Sequence, residues 1–302
     1  MTQPSVGVAL LGTGLLGTAM ARRLLERGVA LTVWNRDPAK AQPLVELGAR
    51  TAGSPAEAAR AAGVVCLCVT NAEAVEDVVF GAAGVVSAGP LDGPRLIVDF
   101  STIGPDATRR LAERARAAGP FAWLDAPVSG GPGGAATGEL IIFCGGTIGN
   151  IDCARPVLDA LAKRVTRVGE LGAGQTMKLC NQLIVSAGLL AIAEAIALGR
   201  ASGIDVGMLP ETLSGGYADS ALLRLFGRRM AAGVSEPRTG SVGTMRKDAE
   251  LIDETARALG QPTCIASAAA RAYQLAGRHD LGDLEISLLP EFYAMLARES
   301  AC

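Results

Sequence analysis

One lysine stands where an acid or a base would be useful. Lys178 lies in the segment Gly174–Gln182, at the start of a long apolar stretch with helical periodicity, and Asn181 follows on the same helix face. A lysine inside such a helix must reach a polar pocket or cleft. We expect desolvation there to lower its pKa and make it a proton donor to a carbonyl oxygen. The alternative is a structural lysine that extends from the helix end to solvent.

A glycine pattern typical of dinucleotide binding follows the first apolar stretch and opens a helical one. It is formed by Gly12, Thr13, Gly14, Leu15, Leu16 and Gly17. Glycines at these spacings allow a tight turn, and the N–H groups at the start of the next helix bind a pyrophosphate. A glycine-rich turn that serves packing alone is the alternative, but the position between a strand and a helix favours the dinucleotide.

The end of the second apolar stretch indicates which dinucleotide is bound. Enzymes that use NAD usually place an acidic residue here to hold the ribose hydroxyls, whereas Trp34 is followed by Asn35 and Arg36. Asp37 could be the missing acid, yet Asp37 and Pro38 also form a typical helix start. The sequence therefore predicts contacts from Asn35 and Arg36 to the 2′-phosphate of NADP, rather than NAD.

A third segment, Asp125–Gly134, follows an apolar strand and is dense in glycine. The backbone N–H groups of Ser129, Gly130 and Gly131 could form a nest for a carboxylate. A flexible loop is the alternative. The pair Lys247-Asp248 begins another helical stretch and, alone, would be interpreted as solvated.

The elements that position these residues alternate between β-rich and helical stretches in the first half of the chain. Such alternation predicts an α/β Rossmann fold, a doubly wound, mainly parallel sheet, followed by an all-α domain. The composition changes at Gly169–Gly174, which predicts a cofactor-binding domain at 1–172 and a helical substrate and oligomerisation domain at 173–302. The predicted strands are Val6–Leu11, Leu31–Trp34, Val64–Val69, Leu96–Phe100, Trp123–Leu124, Ile141–Cys144 and Val165–Val168; the predicted helices include Thr18–Arg27, Ala107–Ala118 and Gln175–Arg200.

Composition excludes several classes of protein. The formal net charge is -2 without a basic tract, which argues against a nucleic-acid partner. The 7 cysteines form no CxxC pair and there is 1 histidine, so no metal site is expected; Cys66 and Cys68 are expected in the core. Residues Met1–Ser5 have no basic region typical of a signal peptide, and Leu183–Leu198 is too short to span a bilayer, which predicts a cytoplasmic protein without a membrane span.

Together, these segments resemble the β-hydroxyacid dehydrogenase family, which includes 3-hydroxyisobutyrate dehydrogenases, tartronate semialdehyde reductases and glyoxylate/succinic semialdehyde reductases. The resemblance runs in order through Gly12–Gly17, Asp125–Gly131, Gly174–Gln182 and Lys247-Asp248. It implies that Lys178 is catalytic, that Asn181 orients the substrate, and that Ser129, Gly130 and Gly131 bind the substrate carboxylate. It further implies cofactor contacts at Val69, Thr70, Thr102 and Lys247.

The resemblance implies an NADPH-dependent reductase or dehydrogenase that interconverts a small aldehyde acid and its hydroxy acid. Two departures concern the substrate: Gly240 replaces an aromatic residue often found seven positions before the Lys-Asp pair, and the acidic C-terminal segment is Gly282–Ser287. An imine reductase-like enzyme and a non-catalytic NADP-binding interaction module remain alternatives. The apolar fraction of 49% and the apolar central helix predict a homodimer or homotetramer.

Overall fold

The computed structural model describes residues 7–89, 93 and 95–299. The described residues do not include Met1–Ser5, where the sequence predicts no signal peptide. They also do not include Val6 of the first predicted strand. Chain contacts divide the structure into two compact units, the first ending at Lys178 and the second beginning at Leu179. This division falls within a helix, and the functional boundary after residue 172 stays a prediction.

Among the described residues, nine strands of the first unit form one sheet in the order β3-β2-β1-β4-β5-β6-β8-β7, with β9 paired to β8. The strands from β3 to β6 are parallel, β8 is antiparallel to β6 and to β7, and β9 is parallel to β8. The strands are β1 (Val8–Leu11), β2 (Leu31–Trp34), β3 (Arg50–Thr51), β4 (Val64–Leu67), β5 (Arg95–Asp99), β6 (Phe121–Asp125), β7 (Val128–Ser129), β8 (Leu140–Gly145) and β9 (Ala162–Gly169). The predicted doubly wound, mainly parallel sheet is confirmed.

Helices cover both faces of this sheet. Alternate residues of one strand face opposite sides, so Val8 and Leu10 enter one hydrophobic core while Ala9 and Leu11 enter the other. The helices that begin in the first unit are α1 (Leu15–Glu26), α2 (Gln42–Val45), α3 (Pro55–Arg60), α4 (Ala72–Phe80), α5 (Pro105–Ala118), α6 (Gly131–Thr137), α7 (Ile148–Leu161) and α8 (Ala173–Ala201). Cys66 is buried and Cys68 packs beside it in the first core, as predicted.

The second unit is helical within the described residues, which confirms the predicted all-α part. Its helices after α8 are α9 (Leu209–Thr212), α10 (Arg228–Ala232), α11 (Val242–Ala258), α12 (Cys264–Arg278) and α13 (Leu289–Glu299). Their apolar faces form one core around Tyr273 and Phe292. Short 3-10 turns at Val206–Met208 and Ile286–Leu288 and a π-helical segment at Leu223–Gly227 connect these helices.

The central helix α8 begins two residues before and ends one residue after the predicted helix Gln175–Arg200. The argument that Leu183–Leu198 is too short to span a bilayer is wrong, because the continuous helix has 29 residues and is long and apolar enough to do so. Of its most apolar window, 44% is buried inside the protein. The hydroxyl of Tyr273 also donates a hydrogen bond to the carbonyl of Ser186, 2.9 Å away. The interpretation of α8 as a core helix therefore rests on this packing and not on its length.

The sheet order fixes where a ligand would bind. The chain runs from β1 outward to β2 and β3 and then returns to the other side of β1 as β4. At such a reversal the connections after the two strands leave in opposite directions, which opens a crevice at their carboxyl ends. The glycine pattern follows β1, and the segment with Val69 and Thr70 follows β4. Two of the predicted cofactor segments thus flank this crevice.

Candidate functional site

The three glycines after β1 occupy different environments. Gly12 has a φ of +103°, and a Cβ there would lie 2.2 Å from the carbonyl oxygen of Cys68. A Cβ on Gly17 would lie 2.0 Å from the carbonyl oxygen of Gly12. Around Gly14 no described atom lies within 4 Å of the corresponding position. Folding therefore requires glycine at positions 12 and 17, whereas Gly14 borders space that a phosphate group could enter.

The residues between these glycines lead into the first turn of α1, which begins at Leu15. Thr13 is buried, and its N–H donates to Oδ1 of Asn35 at 3.0 Å. Thr18 Oγ1 donates to the Thr13 carbonyl at 3.0 Å, which closes the turn. Leu15, 58% exposed, and Leu16 follow as the first helical residues, where backbone N–H groups have no partner within a helix. These amides are the donors available to an anionic ligand.

The turn after β2 carries the predicted determinants of cofactor choice. Asn35 uses both ends of its amide on backbone: Oδ1 accepts from Thr13, and Nδ2 donates to the Asp37 carbonyl at 3.0 Å. Asp37 Oδ1 accepts from the Ala39 N–H at 3.1 Å and caps the 3-10 turn Pro38–Lys40, as the alternative interpretation of this acid proposed. Arg36 is exposed. Asn35 thus orders the glycine loop, and its direct contact with a cofactor stays a prediction.

The segments after β4 and β5 are joined by a serine. The N–H of Val69 donates to Oγ of Ser101 at 3.0 Å, and the N–H of Ser101 donates to Oδ1 of Asp99 at 2.9 Å. Thr70 is exposed and Thr102 is half-buried. An added Cβ at Gly12 would lie 3.0 Å from Cγ1 of Val69, so the glycine loop and this segment are in contact. The structure therefore brings the predicted cofactor residues of the first unit to one edge of the sheet.

The predicted substrate segment contains the end of a strand and the start of a helix. Ser129 ends strand β7, Gly130 precedes α6 with a φ of +125°, and Gly131 begins that helix with a φ of +60°. Positive φ values favour glycine, which explains both residues. The side chain of Ser129 is half-buried and Gly130 is exposed. The alternative of a flexible loop is therefore wrong for this segment, while the binding of a carboxylate by these backbone N–H groups stays a prediction.

A buried carboxylate holds the start of α8. Asp125, at the end of β6, is 0% exposed; its Oδ1 accepts from the Gly172 N–H at 2.8 Å and its Oδ2 from the Gln175 N–H at 2.9 Å. Gly145 and Gly174 leave room for it, since added Cβ atoms would lie 2.4 and 2.8 Å from its oxygens. Burial raises the pKa of Asp125 to about 6, although the backbone N–H groups oppose this shift. Sequence reasoning named Asp125 only as the start of the substrate segment.

Replacing Asp125 with asparagine should change how stability depends on pH. The folded pKa of about 6 exceeds the unfolded value of about 3.9, so the native state binds the extra proton. The contribution of this group is fully present below about pH 4 and is lost as the pH rises through 6. We expect the unfolding free energy of the wild type, minus that of Asp125→Asn, to fall by up to about 1.4 kcal/mol per pH unit in this window.

Urea unfolding of both proteins between pH 4 and pH 7.5 measures this difference. Other titrating groups are shared by the two proteins and cancel in the subtraction. The asparagine variant should be less stable throughout, since its NH₂ group cannot accept from a backbone N–H, whereas both oxygens of Asp125 now do. A difference that is constant or increases with pH would contradict the raised pKa.

The catalytic candidate lies one turn beyond this anchor. Lys178 is the sixth residue of α8 and is buried, with 8% of its surface exposed. The acid/base role that the sequence suggests for this buried amine stays a prediction. Asn181 lies on the same helix three residues later, and its side chain is half-buried.

A second polar network surrounds Asn181 within the second unit. Asn181 Nδ2 donates to Oε1 of Gln182 at 3.0 Å, and Gln182 Nε2 donates to Oδ2 of Asp248. Asp248 is 3% exposed, and its Oδ1 lies 2.9 Å from Nζ of Lys247. The Lys247-Asp248 pair occupies the second turn of α11 rather than the start of a helix, and Asp248 is buried rather than solvated. Gln182 and Asp248, to which the sequence assigned no role of their own, therefore link Asn181 to Lys247.

The two departures near the C-terminus have different consequences. Glu285 is 4% exposed, and its carboxylate accepts from the backbone N–H groups of Thr239 and Gly240 at 3.1 and 3.3 Å. Arg229 lies 3.7 Å from the same carboxylate. Around Gly240, no described atom lies within 4 Å of an added Cβ. Glu285 thus fixes the segment before α11, whereas Gly240 leaves open space where a side chain would fit.

Metal ligation finds no support in the part of the chain that the structure describes. No group of three or more histidine, cysteine, aspartate or glutamate side chains in residues 7–89, 93 and 95–299 could hold a metal ion.

Comparisons with known proteins cover both units. The family described as the NAD binding domain of 6-phosphogluconate dehydrogenase matches residues 7–169, and that described as the NAD-binding of NADP-dependent 3-hydroxyisobutyrate dehydrogenase matches residues 172–293. The chain is 34% identical to the 3-hydroxyisobutyrate dehydrogenase of Pseudomonas aeruginosa, over 90% of this chain and 93% of that protein. It is 35% identical to the 2-hydroxy-3-oxopropionate reductase of Escherichia coli, over 83% and 85%.

A solved structure shares the fold along nearly the whole chain. The structure of Psf3 in complex with NADP+ and 2-OPP superposes with a TM-score of 0.86 at 28% sequence identity, covering 95% of this chain and 99% of that one.

Proposed function

The chain belongs to the β-hydroxyacid dehydrogenase family of NAD(P)-dependent oxidoreductases, and from this premise we propose that it interconverts a small aldehyde acid and its hydroxy acid, with NADPH as reductant and Lys178 as general acid/base. One observation carries the proposal. The helix with buried Lys178 begins at the carboxyl-end edge of the sheet, held there by Asp125 of β6, and this edge also carries the glycine loop.

The residues of the first unit fit a dinucleotide. Gly14 borders open space at the first turn of α1, and the first-turn N–H groups can bind a pyrophosphate. Val69, Thr70 and Thr102 lie at the carboxyl ends of β4 and β5, where doubly wound sheets bind their ligands. Lys247 is proposed as a further cofactor contact. A nicotinamide held by these residues would supply a hydride to the aldehyde carbon, or accept one from the hydroxy acid.

The side chains then orient the substrate and move one proton. The backbone N–H groups of Gly130 and Gly131, with the hydroxyl of Ser129, bind the substrate carboxylate. Asn181 donates one N–H of its amide to Gln182, which leaves its second N–H for the substrate oxygen. The ammonium of Lys178 transfers a proton to the carbonyl oxygen as the carbon is reduced, and accepts it back during oxidation.

Arg36 supports NADP over NAD. Arg36 is exposed in the turn after β2, and the carboxylate of Asp37 caps the 3-10 turn that follows. We expect Arg36→Ala to raise the KM for NADPH about 10- to 100-fold and to leave the KM for NADH nearly unchanged. A charge-assisted hydrogen bond of about 1.5–3 kcal/mol to the 2′-phosphate accounts for this factor.

Steady-state kinetics with both cofactors measure this effect, and Arg116→Ala, an exposed arginine on α5, is the matched control. Equal increases of the two KM values, or no increase, would overturn the assignment of Arg36 to the 2′-phosphate.

The substrate class is tested by oxidation of NADPH and NADH with glyoxylate, succinic semialdehyde, tartronate semialdehyde and a cyclic imine. The similarity to a 2-hydroxy-3-oxopropionate reductase supports a short aldehyde acid. Turnover of an aldehyde acid with NADPH is the expected result. Reduction of the imine alone would favour an imine reductase, and tight NADPH binding without any turnover would favour a non-catalytic module.

The remaining features of the proposal concern the assembly. We propose a cytoplasmic homodimer or homotetramer with a cofactor domain at 1–172 and a substrate domain at 173–302. Large apolar side chains of α8 support association, since Ile184 is 74% exposed and Leu198 is 71% exposed within one chain. A monomer in sedimentation velocity would contradict this.

A further inference from the structure

A glutamine in the first turn of α8 uses its whole amide group on the backbone of another segment. Gln175 is 0% exposed. Its Nε2 donates to the Ser101 carbonyl at 2.8 Å, and its Oε1 accepts from the Ile103 N–H at 3.2 Å. Both bonds reach the segment after β5, on the two sides of Thr102. The side chain therefore pairs with the backbone around Thr102 much as a neighbouring strand would.

Few other side chains can make this pair of bonds. The site offers one carbonyl and one N–H at a spacing that matches the donor and acceptor of a single amide. Methionine has nearly the same shape but makes neither bond, and an ionised glutamate only accepts. The N–H of Gln175 is also bonded to Asp125, so the backbone of this residue is held as well as its side chain.

The same network reaches the crevice beside the glycine loop. Oγ of Ser101 accepts from the Val69 N–H at 3.0 Å, so one continuous set of hydrogen bonds links the carboxyl ends of β4 and β5 to the first turn of α8. Lys178 lies three residues after Gln175 on that helix. All of these residues belong to the first unit.

We infer that Gln175 is a positioning residue, which fixes Thr102, the proposed cofactor contact, relative to Lys178, the proposed proton donor. The inference rests on the proposed function for the roles of Thr102 and Lys178. In this role Gln175 contacts neither cofactor nor substrate, but it determines the distance between Thr102 and Lys178.

Two variants with the shape of glutamine test this inference. Gln175→Met should weaken NADPH binding about 10-fold, because Thr102 loses its support, and should also lower kcat at saturating cofactor about 10-fold, because Lys178 shifts. Gln175→Glu should resemble the methionine variant at high pH. At low pH the protonated acid has one donor and one acceptor, like the amide, and NADPH affinity should recover.

The measurements are NADPH fluorescence titrations from pH 5.5 to pH 8.5, with the fraction of competent sites determined, and steady-state kinetics over the same range. Met177→Ala is the matched control, since Met177 lies two residues later in α8 and is 40% exposed. Its affinity and kcat should equal those of the wild type at each pH.

Three outcomes overturn the inference: wild-type affinity and kcat in Gln175→Met, a loss of competent sites whose remaining fraction binds NADPH normally, or no pH-dependent recovery in Gln175→Glu. If Gln175→Met does not fold, the pH series of Gln175→Glu decides. Absence of turnover in the wild type would refute the proposed function, whereas the NADPH titrations would still decide whether Gln175 supports the cofactor site.

Discussion

Replacing Lys178 with alanine should lower kcat for aldehyde reduction about 10²- to 10⁴-fold, the usual contribution of a positioned proton donor. NADPH affinity should change little, because the proposed role of Lys178 is to transfer a proton and not to bind the cofactor phosphates. The pH profile of reduction should also lose its alkaline limb, because only the protonated amine can donate a proton. NADPH oxidation at saturating substrate and NADPH fluorescence titration measure the two effects separately.

Two further variants distinguish proton transfer from charge or packing. Lys178→Arg keeps a positive charge in the helix but cannot lose its proton near neutral pH, so it should remain nearly as inactive as the alanine variant. Lys163→Ala removes an exposed lysine from β9 and should retain wild-type kcat. Full activity in Lys178→Ala would refute the assigned mechanism, whatever substrate is turned over.

The fold could be predicted from the sequence where periodicity was strong. Strand β2 has the predicted bounds Leu31–Trp34, and the helix predicted at Ala107–Ala118 begins two residues earlier, at Pro105. Strands β3 and β7 were missed because each has 2 residues, too few to show an alternation. Their existence depends on neighbouring strands rather than on their own composition.

The substrate segment shows how tertiary packing can override local propensity. Residues Gly131–Thr137 contain three glycines and a proline, which predict a loop, yet they form helix α6. Proline is tolerated in the first turn of a helix, and Ala135 is fully buried against the core beside α1. The sequence therefore indicated which residues are close together but not the structure that they form.

The positioning residues could not be predicted from one sequence. Asp125 and Gln175 are 50 positions apart, and Gln182 and Asp248 are 66 positions apart, so no local spacing reveals their hydrogen bonds. Both pairs lie beside residues that the sequence did single out, namely Lys178, Asn181 and Lys247. Motifs thus located the proposed chemical groups, whereas the buried polar groups that orient them became visible only in the folded chain.

Alanine substitutions in the glycine loop should separate folding from cofactor binding. Gly12→Ala forces a Cβ to within 2.2 Å of a backbone oxygen at a φ of +103°, and Gly17→Ala forces one to within 2.0 Å of another. Each should destabilise the protein by about 2–4 kcal/mol and lower its Tm by about 5–10 °C. Gly14→Ala adds a Cβ in open space at a φ of -71°, so its Tm should lie within about 2 °C of the wild type.

Cofactor affinity should rank these variants differently from stability. Gly14→Ala should weaken NADPH binding at least about 10-fold although it folds normally, because its methyl group occupies the space through which the pyrophosphate would approach the N–H groups of α1. Thermal unfolding without cofactor and NADPH titration of the folded variants measure the two properties. Wild-type affinity in Gly14→Ala would mean that the loop does not hold the pyrophosphate, and an unchanged Tm in Gly12→Ala would mean that the turn relaxes around the added carbon. A phosphate-binding loop requires that Gly14→Ala alone combines low NADPH affinity with normal stability. In a turn used only for packing, every substitution that lowers affinity would also lower stability.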